Sequence, residues 1–138
     1  MDYSEFEARY LSRLNPQQRE AVLSVGGPVL VLATPGSGKT TVLVIRLGYM
    51  VLCRGIDPRR ILTMTYTRAA ARDMRSRFAS FFGEELAGRL QFRTINGVSS
   101  KLVSYSAARL GREPFSLLGE DGERAPHCRE RRQSRWCR

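Results

Sequence analysis

Lysine is scarce in this sequence, and almost all of its positive charge comes from arginine. Lysine and arginine together number 23 against 13 acidic residues, which gives a formal net charge of +10, and the lysines are Lys39 and Lys101 alone. This surplus favours a polyanionic partner such as nucleic acid. An arginine-rich composition that merely keeps the chain soluble explains the same surplus, so charge alone leaves both interpretations open.

Long apolar runs and metal-ligand clusters are also lacking. No run of about 18 apolar residues occurs, which argues against a membrane-spanning helix. The N-terminal stretch MDYSEFEARY has no apolar core of the kind that signal peptides need, so a cytoplasmic location is expected. Cys53, Cys128 and Cys137 form no CxxC pair, and the single histidine, His127, has no second cluster near it. This pattern argues against a zinc site and suits a reducing compartment.

The apolar residues that are present fall into short segments separated by longer helix-like ones. Short, β-branched apolar segments favour buried strands of a parallel sheet. The predicted strands cover residues 29–33, 61–66 and 90–95. Because a helix-like segment follows each strand, the order predicts an α/β fold, a parallel sheet with flanking helices and right-handed crossovers.

Capping signals accompany the predicted helices. Ser4 and Glu7 have the spacing of a capping box, which predicts a short first helix. Asn15, Thr67 and Asn96 each precede a helix-like pattern and are the predicted N-caps of the helices that follow them.

The most specific motif lies between the first predicted strand and its helix. It consists of Ala33, Thr34, Pro35, Gly36, Ser37, Gly38, Lys39 and Thr40, followed by Thr41. It matches the phosphate-loop pattern G-x-x-x-x-G-K-[ST], with alanine in place of the first glycine. Gly36 and Gly38 let the backbone turn its N–H groups toward phosphate oxygens, and the helix adds its positive dipole end. Lys39 is expected to neutralise the β- and γ-phosphates of ATP, and Thr40 to bind Mg²⁺.

An acidic partner for this motif is not evident in the sequence. Hydrolysis at a phosphate loop usually needs an Asp at the end of a buried strand to hold Mg²⁺, and commonly a Glu to activate water. None of the 13 acidic residues follows a run of apolar residues in that way. The predicted catalytic residues are therefore limited to Lys39 and Thr40, and no catalytic base is predicted.

Three further segments, taken with the phosphate loop, resemble the UvrD/Rep/PcrA-like superfamily 1 DNA helicases. LNPQQREAV at residues 14–22 resembles their Q-motif. TMTYTRAAARDMRSRF at residues 63–78 resembles motif Ia, usually close to T-F-T-N-K-A-A-x-E-M. FRTINGVSSKLV at residues 92–103 is similar to motif Ib, usually close to T-x-H-S/G followed by a helix. The order and spacing of the segments match, and the resemblance covers roughly residues 10 to 112.

The resemblance implies a fold, ligands and site residues. It implies a P-loop NTPase domain of the RecA-like type, in which ATP binds between two lobes of a motor that moves 3′ to 5′ along single-stranded DNA. Gln18 matches the glutamine that binds the adenine edge. Tyr66 stands where an aromatic residue contacts a base, and Thr94 and Asn96 stand where motif Ib contacts the strand. Arg46 matches an arginine common in the family, with no role assigned to it.

Alternatives remain open for the residues that the resemblance places on DNA. Tyr66 ends a predicted buried strand and fits the core equally well. Thr94 and Asn96 equally fit a cap of the next helix, and the arginines of the helix after Tyr66 equally fit a solvated face. Arg68 and Ala69 replace the usual Asn-Lys, and Asn96 replaces the usual histidine. We therefore expect local DNA contacts to be rearranged.

The last twenty residues have a different character. GEDGERAPHCRERRQSRWCR, residues 119–138, has ten charged residues and no apolar periodicity, which favours disorder. The family's acidic DExx motif and second lobe are not found in this sequence. We therefore predict that residues 1–118 are an incomplete N-terminal portion of the helicase ATP-binding domain. Residues 119–138 are predicted to be a disordered or out-of-frame tail of a truncated gene.

Three functional classes compete. The favoured one is the ATP-binding and single-stranded-DNA-contacting fragment of a 3′–5′ ATP-dependent DNA helicase that acts in DNA repair or replication. The second is an inactive truncated product, or a stand-alone nucleotide- or DNA-binding module without ATPase activity. The third is another phosphate-loop enzyme such as a small kinase, which leaves the Q-motif and motif Ib segments unexplained. The expected ligands are ATP, Mg²⁺ and single-stranded DNA, with no membrane partner.

Overall fold

A computed structural model describes residues 2–112 of the chain, which contain six α-helices and two strands. The helices are α1 (Tyr3–Phe6), α2 (Pro16–Leu23), α3 (Lys39–Leu52), α4 (Arg68–Phe82), α5 (Glu84–Arg89) and α6 (Ile95–Arg109). A π-helical turn (Glu7–Leu11) continues α1, and a 3₁₀ turn (Pro58–Arg60) precedes the first strand. The strands are β1 (Leu62–Thr65) and β2 (Gln91–Thr94). None of the helices among residues 2–112 is long and apolar enough to cross a membrane.

The chain divides into two compact units at Asn96. The first unit, Met1–Asn96, contains both strands and most of the helices. In the second unit the structure describes the rest of α6 and the turn after it, where Arg109 Nη1 donates to the Tyr105 hydroxyl at 3.1 Å. The predicted boundary at residue 118 and the predicted tail lie outside the described residues and stay predictions.

The two strands form a parallel sheet, which confirms the α/β class. The register pairs Leu62 with Gln91 at one end and Thr65 with Thr94 at the other. Along each strand exposed and half-buried residues alternate, so one face of the sheet is covered and the other is open. The strands were predicted to be buried, and this part of the prediction is wrong for the open face.

Helix α3 lies between two apolar clusters in the first unit. The N-terminal cluster consists of Phe6, Tyr10, Leu11, Ala21, Val22, Val42, Ile45 and Tyr49. The central cluster consists of Val44, Leu47, Ile61, Met74, Phe78, Ala87 and Leu90. Phe82 of α4 packs against both clusters. Because α3 contributes to both, it is buried on two sides, and this fixes its position in the unit.

Two of the predicted N-caps are confirmed. Asn15 caps α2: its Oδ1 accepts from the Gln18 N–H at 2.8 Å, and its own N–H donates to Gln18 Oε1 at 3.1 Å. Thr67 caps α4, since its Oγ1 accepts from the Ala70 N–H at 3.1 Å. Both caps depend on residues three apart, so the local sequence contains all that they need.

Two other predicted caps are wrong. Asp2, and not Ser4, occupies the N-cap of α1, and it makes no side-chain capping hydrogen bond. Glu7 instead forms an ion pair with Arg19 of α2. Asn96 lies inside α6, because that helix begins one residue earlier, directly after β2.

The predicted strand at residues 29–33 is also wrong. These residues have no regular secondary structure, and their backbone groups form no hydrogen bond to each other or to either strand of the described chain. Leu30 and Leu32 are 83% and 86% exposed. The apolar, β-branched pattern favours a buried strand. A strand forms, however, only next to another strand whose backbone N–H and C=O groups bond to it. β1 and β2 pair with each other instead.

The approach of α3 to α4 gives the first testable prediction. A Cβ atom added at Gly48 would lie 2.1 Å from Phe82 Cζ, so we expect Gly48→Ala to force the two helices apart. Overpacking of this kind costs about 1–3 kcal/mol, more than the gain in helix propensity. Urea unfolding followed by circular dichroism measures the change in the free energy of unfolding.

Gly88→Ala is the matched control for this prediction. Gly88 lies in α5, and a Cβ there would meet nothing within 4 Å. Alanine at this position is expected to stabilise the chain by about 0.5–1 kcal/mol. Equal effects of the two substitutions would contradict the close packing of Gly48 on Phe82.

Candidate functional site

The phosphate-loop motif forms a tight turn at the beginning of α3. Gly36 and Gly38 have φ angles of +80° and +78°, in the left-handed region that favours glycine. The Ser37 N–H donates to the Thr34 carbonyl at 3.3 Å, which closes the turn between them. Gly38 is the N-cap of α3 and has no side chain to occupy the helix N–H groups. The first turn of α3 is thus left with free donors and the positive end of the helix dipole.

Lys39 contacts the loop that precedes it. Its Nζ donates to the Thr34 carbonyl at 2.8 Å and to the Ala33 carbonyl at 3.3 Å. The ammonium group stays exposed to solvent, so a stronger anionic acceptor can take over these two neutral ones. Pro35 is exposed in the turn, and Thr40 and Thr41 are half-buried in the first turn of α3.

Gln18 connects α2 to the phosphate loop. Its Nε2 donates to the Ser37 carbonyl at 3.0 Å, while its Oε1 accepts from the Asn15 N–H. A side-chain amide has two N–H donors and two acceptor lone pairs. One donor and one acceptor of Gln18 are therefore left after both contacts are made.

A cleft of about 560 Å³ lies beside these residues. Its polar lining is Asn15, Gln17, Gln18, Thr34, Ser37, Lys39 and Arg46, and its apolar lining is Ala21, Val29, Val31, Leu32, Ala33, Val42 and Leu43. Arg46 reaches back from α3 and donates from Nη1 to the Ala21 carbonyl near the end of α2. The cleft therefore joins a glycine-rich anion-binding turn to an apolar wall, with Gln18 between them.

The residues of the loop suit an anionic ligand. Ser37 Oγ is shielded from solvent and has no hydrogen-bond partner in the part of the chain that the structure describes. A hydroxyl in this situation gains a partner when an oxyanion binds next to it. Together with Lys39 and the free N–H groups of α3, this orphaned hydroxyl fits the phosphates of a nucleotide.

The described residues do not assemble a metal site of their own. No group of three or more His, Cys, Asp or Glu side chains within residues 2–112 is placed to hold a metal ion. Away from the cleft, burial raises the pKa of the Cys53 thiol, which disfavours the thiolate that metals bind. A cation at the phosphate loop would take its ligands mainly from the phosphates themselves, with Thr40 as the hydroxyl nearest in sequence to Lys39.

The residues predicted to contact DNA occupy a second location. The carboxyl ends of two parallel strands meet at one edge of a sheet, so Tyr66 after β1 and Asn96 after β2 lie on the same side of it. Tyr66 is 89% exposed, which rules out its alternative assignment to the core. Asn96 is exposed within the first turn of α6, and Thr94 is the half-buried residue that ends β2 and directly precedes this helix.

Two contacts of the cleft escape sequence reasoning. The bond from Gln18 to the Ser37 carbonyl joins residues 19 positions apart, and the bond from Arg46 to Ala21 joins residues 25 positions apart. Both acceptors are backbone carbonyls, which any residue type supplies. The family resemblance singled out both Gln18 and Arg46, but it gave Gln18 a base as its partner and assigned no role to Arg46.

A glycine-rich turn at the start of a helix, beside a cleft in a parallel α/β unit, is typical of proteins that bind nucleotide phosphates. Comparison with known families then identifies the chain. The model of the UvrD/REP helicase N-terminal domain matches residues 14–134. The chain belongs to this helicase family.

Individual relatives agree with this assignment. The chain is 36% identical over 119 residues to the ATP-dependent DNA helicase UvrD1 of Mycobacterium leprae, covering 85% of this chain and 15% of the relative. It is 38% identical over 109 residues to the ATP-dependent DNA helicase PcrA of Bacillus subtilis, covering 78% and 15%. It is 36% identical over 114 residues to the ATP-dependent DNA helicase Rep of Escherichia coli, covering 82% and 17%. The chain thus spans about a sixth of the length of these relatives.

The capping box of α2 gives the second prediction. Asn15→Ala removes the acceptor of the Gln18 N–H and is expected to lower the free energy of unfolding by about 1 kcal/mol. Asn15→Asp keeps the acceptor, so its stability should stay close to that of the unmodified chain. Thermal unfolding of the two variants side by side checks this, and equal losses would show that the side-chain oxygen is not what stabilises α2.

Proposed function

We propose that this chain is the ATP-binding and single-stranded-DNA-contacting part of a 3′–5′ ATP-dependent DNA helicase of the UvrD/Rep type. The proposal includes the RecA-like, P-loop NTPase character of the domain and a role of the parent enzyme in DNA repair or replication. It is supported chiefly by the hydrogen bond from Gln18 to the phosphate-loop carbonyl of Ser37. This bond brings a base-recognition residue and a phosphate-binding turn to one cleft, as ATP requires.

In the proposed complex the phosphates lie at the turn and the adenine lies along the cleft. The backbone N–H groups of Gly36, Gly38, Lys39 and Thr40 bind phosphate oxygens, while the Ser37 N–H keeps the turn closed on the Thr34 carbonyl. The orphaned hydroxyl of Ser37 gains a partner among the phosphate oxygens. The Lys39 ammonium leaves the carbonyls of Ala33 and Thr34 for phosphate oxygens, because a charge-assisted hydrogen bond is about twice as strong as a neutral one.

Gln18 is proposed to recognise adenine with the donor and acceptor that its protein contacts leave free. An amide that offers one N–H and one lone pair matches the N7 and N6 edge of adenine, where one acceptor lies beside one donor. Since Asn15 and Ser37 hold the other two positions of this amide, Gln18 is oriented before the base arrives. The apolar residues of the cleft then shield the base from water.

Mg²⁺ is proposed to bind next to Thr40. When bound, the ion neutralises phosphate charge and orients the terminal phosphate. This chain supplies the Thr40 hydroxyl, which lies next to Lys39 in the first turn of α3. The Thr40 side chain is half-buried, and the helix fixes its position.

Single-stranded DNA is proposed to pass over the carboxyl edge of the sheet. Tyr66 projects from that edge as an exposed ring on which a base can stack, and Thr94 and Asn96 follow the neighbouring strand. Aromatic stacking tolerates any base, so this surface suits a protein that moves along DNA without regard to sequence. The +10 charge of the chain favours the approach of the DNA.

The third prediction tests the nucleotide site. Lys39→Ala is expected to weaken Mg·ATP binding by about 10- to 100-fold, since it removes a charge-assisted contact worth roughly 1.5–3 kcal/mol. Lys101→Ala is the matched control, because Lys101 is exposed and is not among the residues that line the cleft. Isothermal titration calorimetry of the purified chain measures both affinities.

Gln18→Ala distinguishes recognition of the base from recognition of the phosphates in the same assay. We expect this variant to bind ATP more weakly, with little change for inorganic triphosphate, which has no base. An equal loss for the two ligands would contradict the assignment of Gln18 to adenine.

The fourth prediction tests base stacking on DNA. Tyr66→Ala is expected to weaken binding of a single-stranded oligonucleotide by about 1–3 kcal/mol, the range measured for removal of a stacking ring. Tyr66→Phe keeps the ring and should bind nearly as well as the unmodified chain. Fluorescence anisotropy with a labelled strand gives both values, and loss of binding in the phenylalanine variant would point to the hydroxyl instead of the ring.

A further inference from the structure

The arginines of α4 fall into two pairs that differ in their electrostatic partners. Arg75 Nη2 lies 2.9 Å from Glu84 Oε2, and Arg77 Nε lies 2.8 Å from Asp73 Oδ2. The side chains of Arg68 and Arg72 have neither an ion pair nor a hydrogen bond to any residue in the described part of the chain. All of these arginines are exposed, so exposure alone does not distinguish the pairs. Arg68 and Arg72 therefore keep their full charge for a partner outside the described chain.

The position of Arg68 makes this free charge costly for the fold. Arg68 is the first residue of α4, and the first turn contains no acidic residue. A cation at a helix N-terminus opposes the helix dipole by about 0.3–1 kcal/mol. Arg72 lies one turn further along on the same side of the helix, since residues four apart are neighbours on a helix surface. The two positive charges repel each other, and no ion pair in the described part of the chain offsets this repulsion.

The same short segment holds Tyr66 in a defined place relative to these charges. Thr65 Oγ1 donates to the Thr67 carbonyl at 3.1 Å, and Thr67 Oγ1 caps α4 by accepting from the Ala70 N–H at 3.1 Å. These bonds lock the connection between β1 and α4 on both sides of Tyr66. The exposed ring of Tyr66 and the exposed side chain of Arg68 therefore lie two residues apart on a connection whose backbone is held in place.

We propose that Arg68 and Arg72 bind neighbouring phosphates of the single strand whose base stacks on Tyr66. This inference rests on the proposed DNA-binding function and names the residues that hold the strand's backbone. Planar guanidinium groups match phosphate oxygens in a bidentate manner, and an exposed aromatic ring beside them selects an unpaired base. Arg75 and Arg77 take no part, because Glu84 and Asp73 already neutralise them.

The salt dependence of binding tests this proposal with a matched pair of variants. Arg68→Gln/Arg72→Gln and Arg75→Gln/Arg77→Gln remove the same charge from the same helix of the full chain. Anisotropy of a fluorescein-labelled oligothymidylate strand is measured between about 50 and about 200 mM salt. Each lost phosphate contact lowers the slope of log K against log salt by about 0.7 for a single strand, so the first variant should lose about 1.4. The second variant should keep the slope of the unmodified chain.

A lysine variant separates the loss of charge from damage to the fold. Arg68→Lys/Arg72→Lys keeps both charges and should keep most of the slope, because counterion release depends on charge. The single variants Arg68→Gln and Arg72→Gln should each lose about 0.7. Circular dichroism confirms that every variant is folded before its slope is compared.

Each result separates this proposal from the proposed function. If the unmodified chain binds the strand and the two glutamine variants lose equal slope, the assignment to Arg68 and Arg72 is overturned while DNA binding stands. If the unmodified chain does not bind the strand at all, the DNA-binding part of the proposed function fails and this proposal fails with it. ATP affinity, measured in parallel, should be the same in all variants, since these arginines lie outside the cleft.

Discussion

The contact between Gly48 and Phe82 holds the first unit together. A side chain larger than hydrogen at position 48 would collide with the ring, so the absence of one lets α4 approach α3 closely. Phe82 can then pack against both apolar clusters, to which α3 also contributes. Burial of α3 on two sides is what fixes the turn at its N-terminus in space. The geometry of the proposed nucleotide site thus depends on packing further along α3.

The charged and polar groups of the first unit differ in the partners that the fold gives them. The N-terminus of α3 has no acidic side chain in its first turn and has a glycine at its N-cap, so its donors stay open. Lys39 is held by neutral carbonyls that compete weakly with phosphate. Along α4, by contrast, acidic partners neutralise Arg75 and Arg77 and leave Arg68 and Arg72 charged. This uneven pairing, more than the net charge of +10, concentrates unpaired positive charge at the start of α4.

The parts of the structure that sequence predicts are the local ones. The caps at Asn15 and Thr67 and the turn at Gly36 and Gly38 depend on residues within a few positions of each other, and all were predicted. The strand at residues 29–33 was not predicted correctly, because its formation depends on a neighbour far away in sequence. The sequence did not decide whether Tyr66 is buried or exposed for the same reason. Alternation along a strand does not show which of its residues are covered by elements distant in sequence.

The single amide of Gln18 has a thermodynamic consequence for α2. Because this side chain both completes the capping box and bonds the phosphate-loop carbonyl, local opening of the loop and fraying of the helix share one set of hydrogen bonds. Anything that holds the loop closed therefore also protects the backbone amides at the start of α2 from exchange with solvent. Hydrogen exchange at the start of α2 is therefore expected to respond to any ligand that the loop binds.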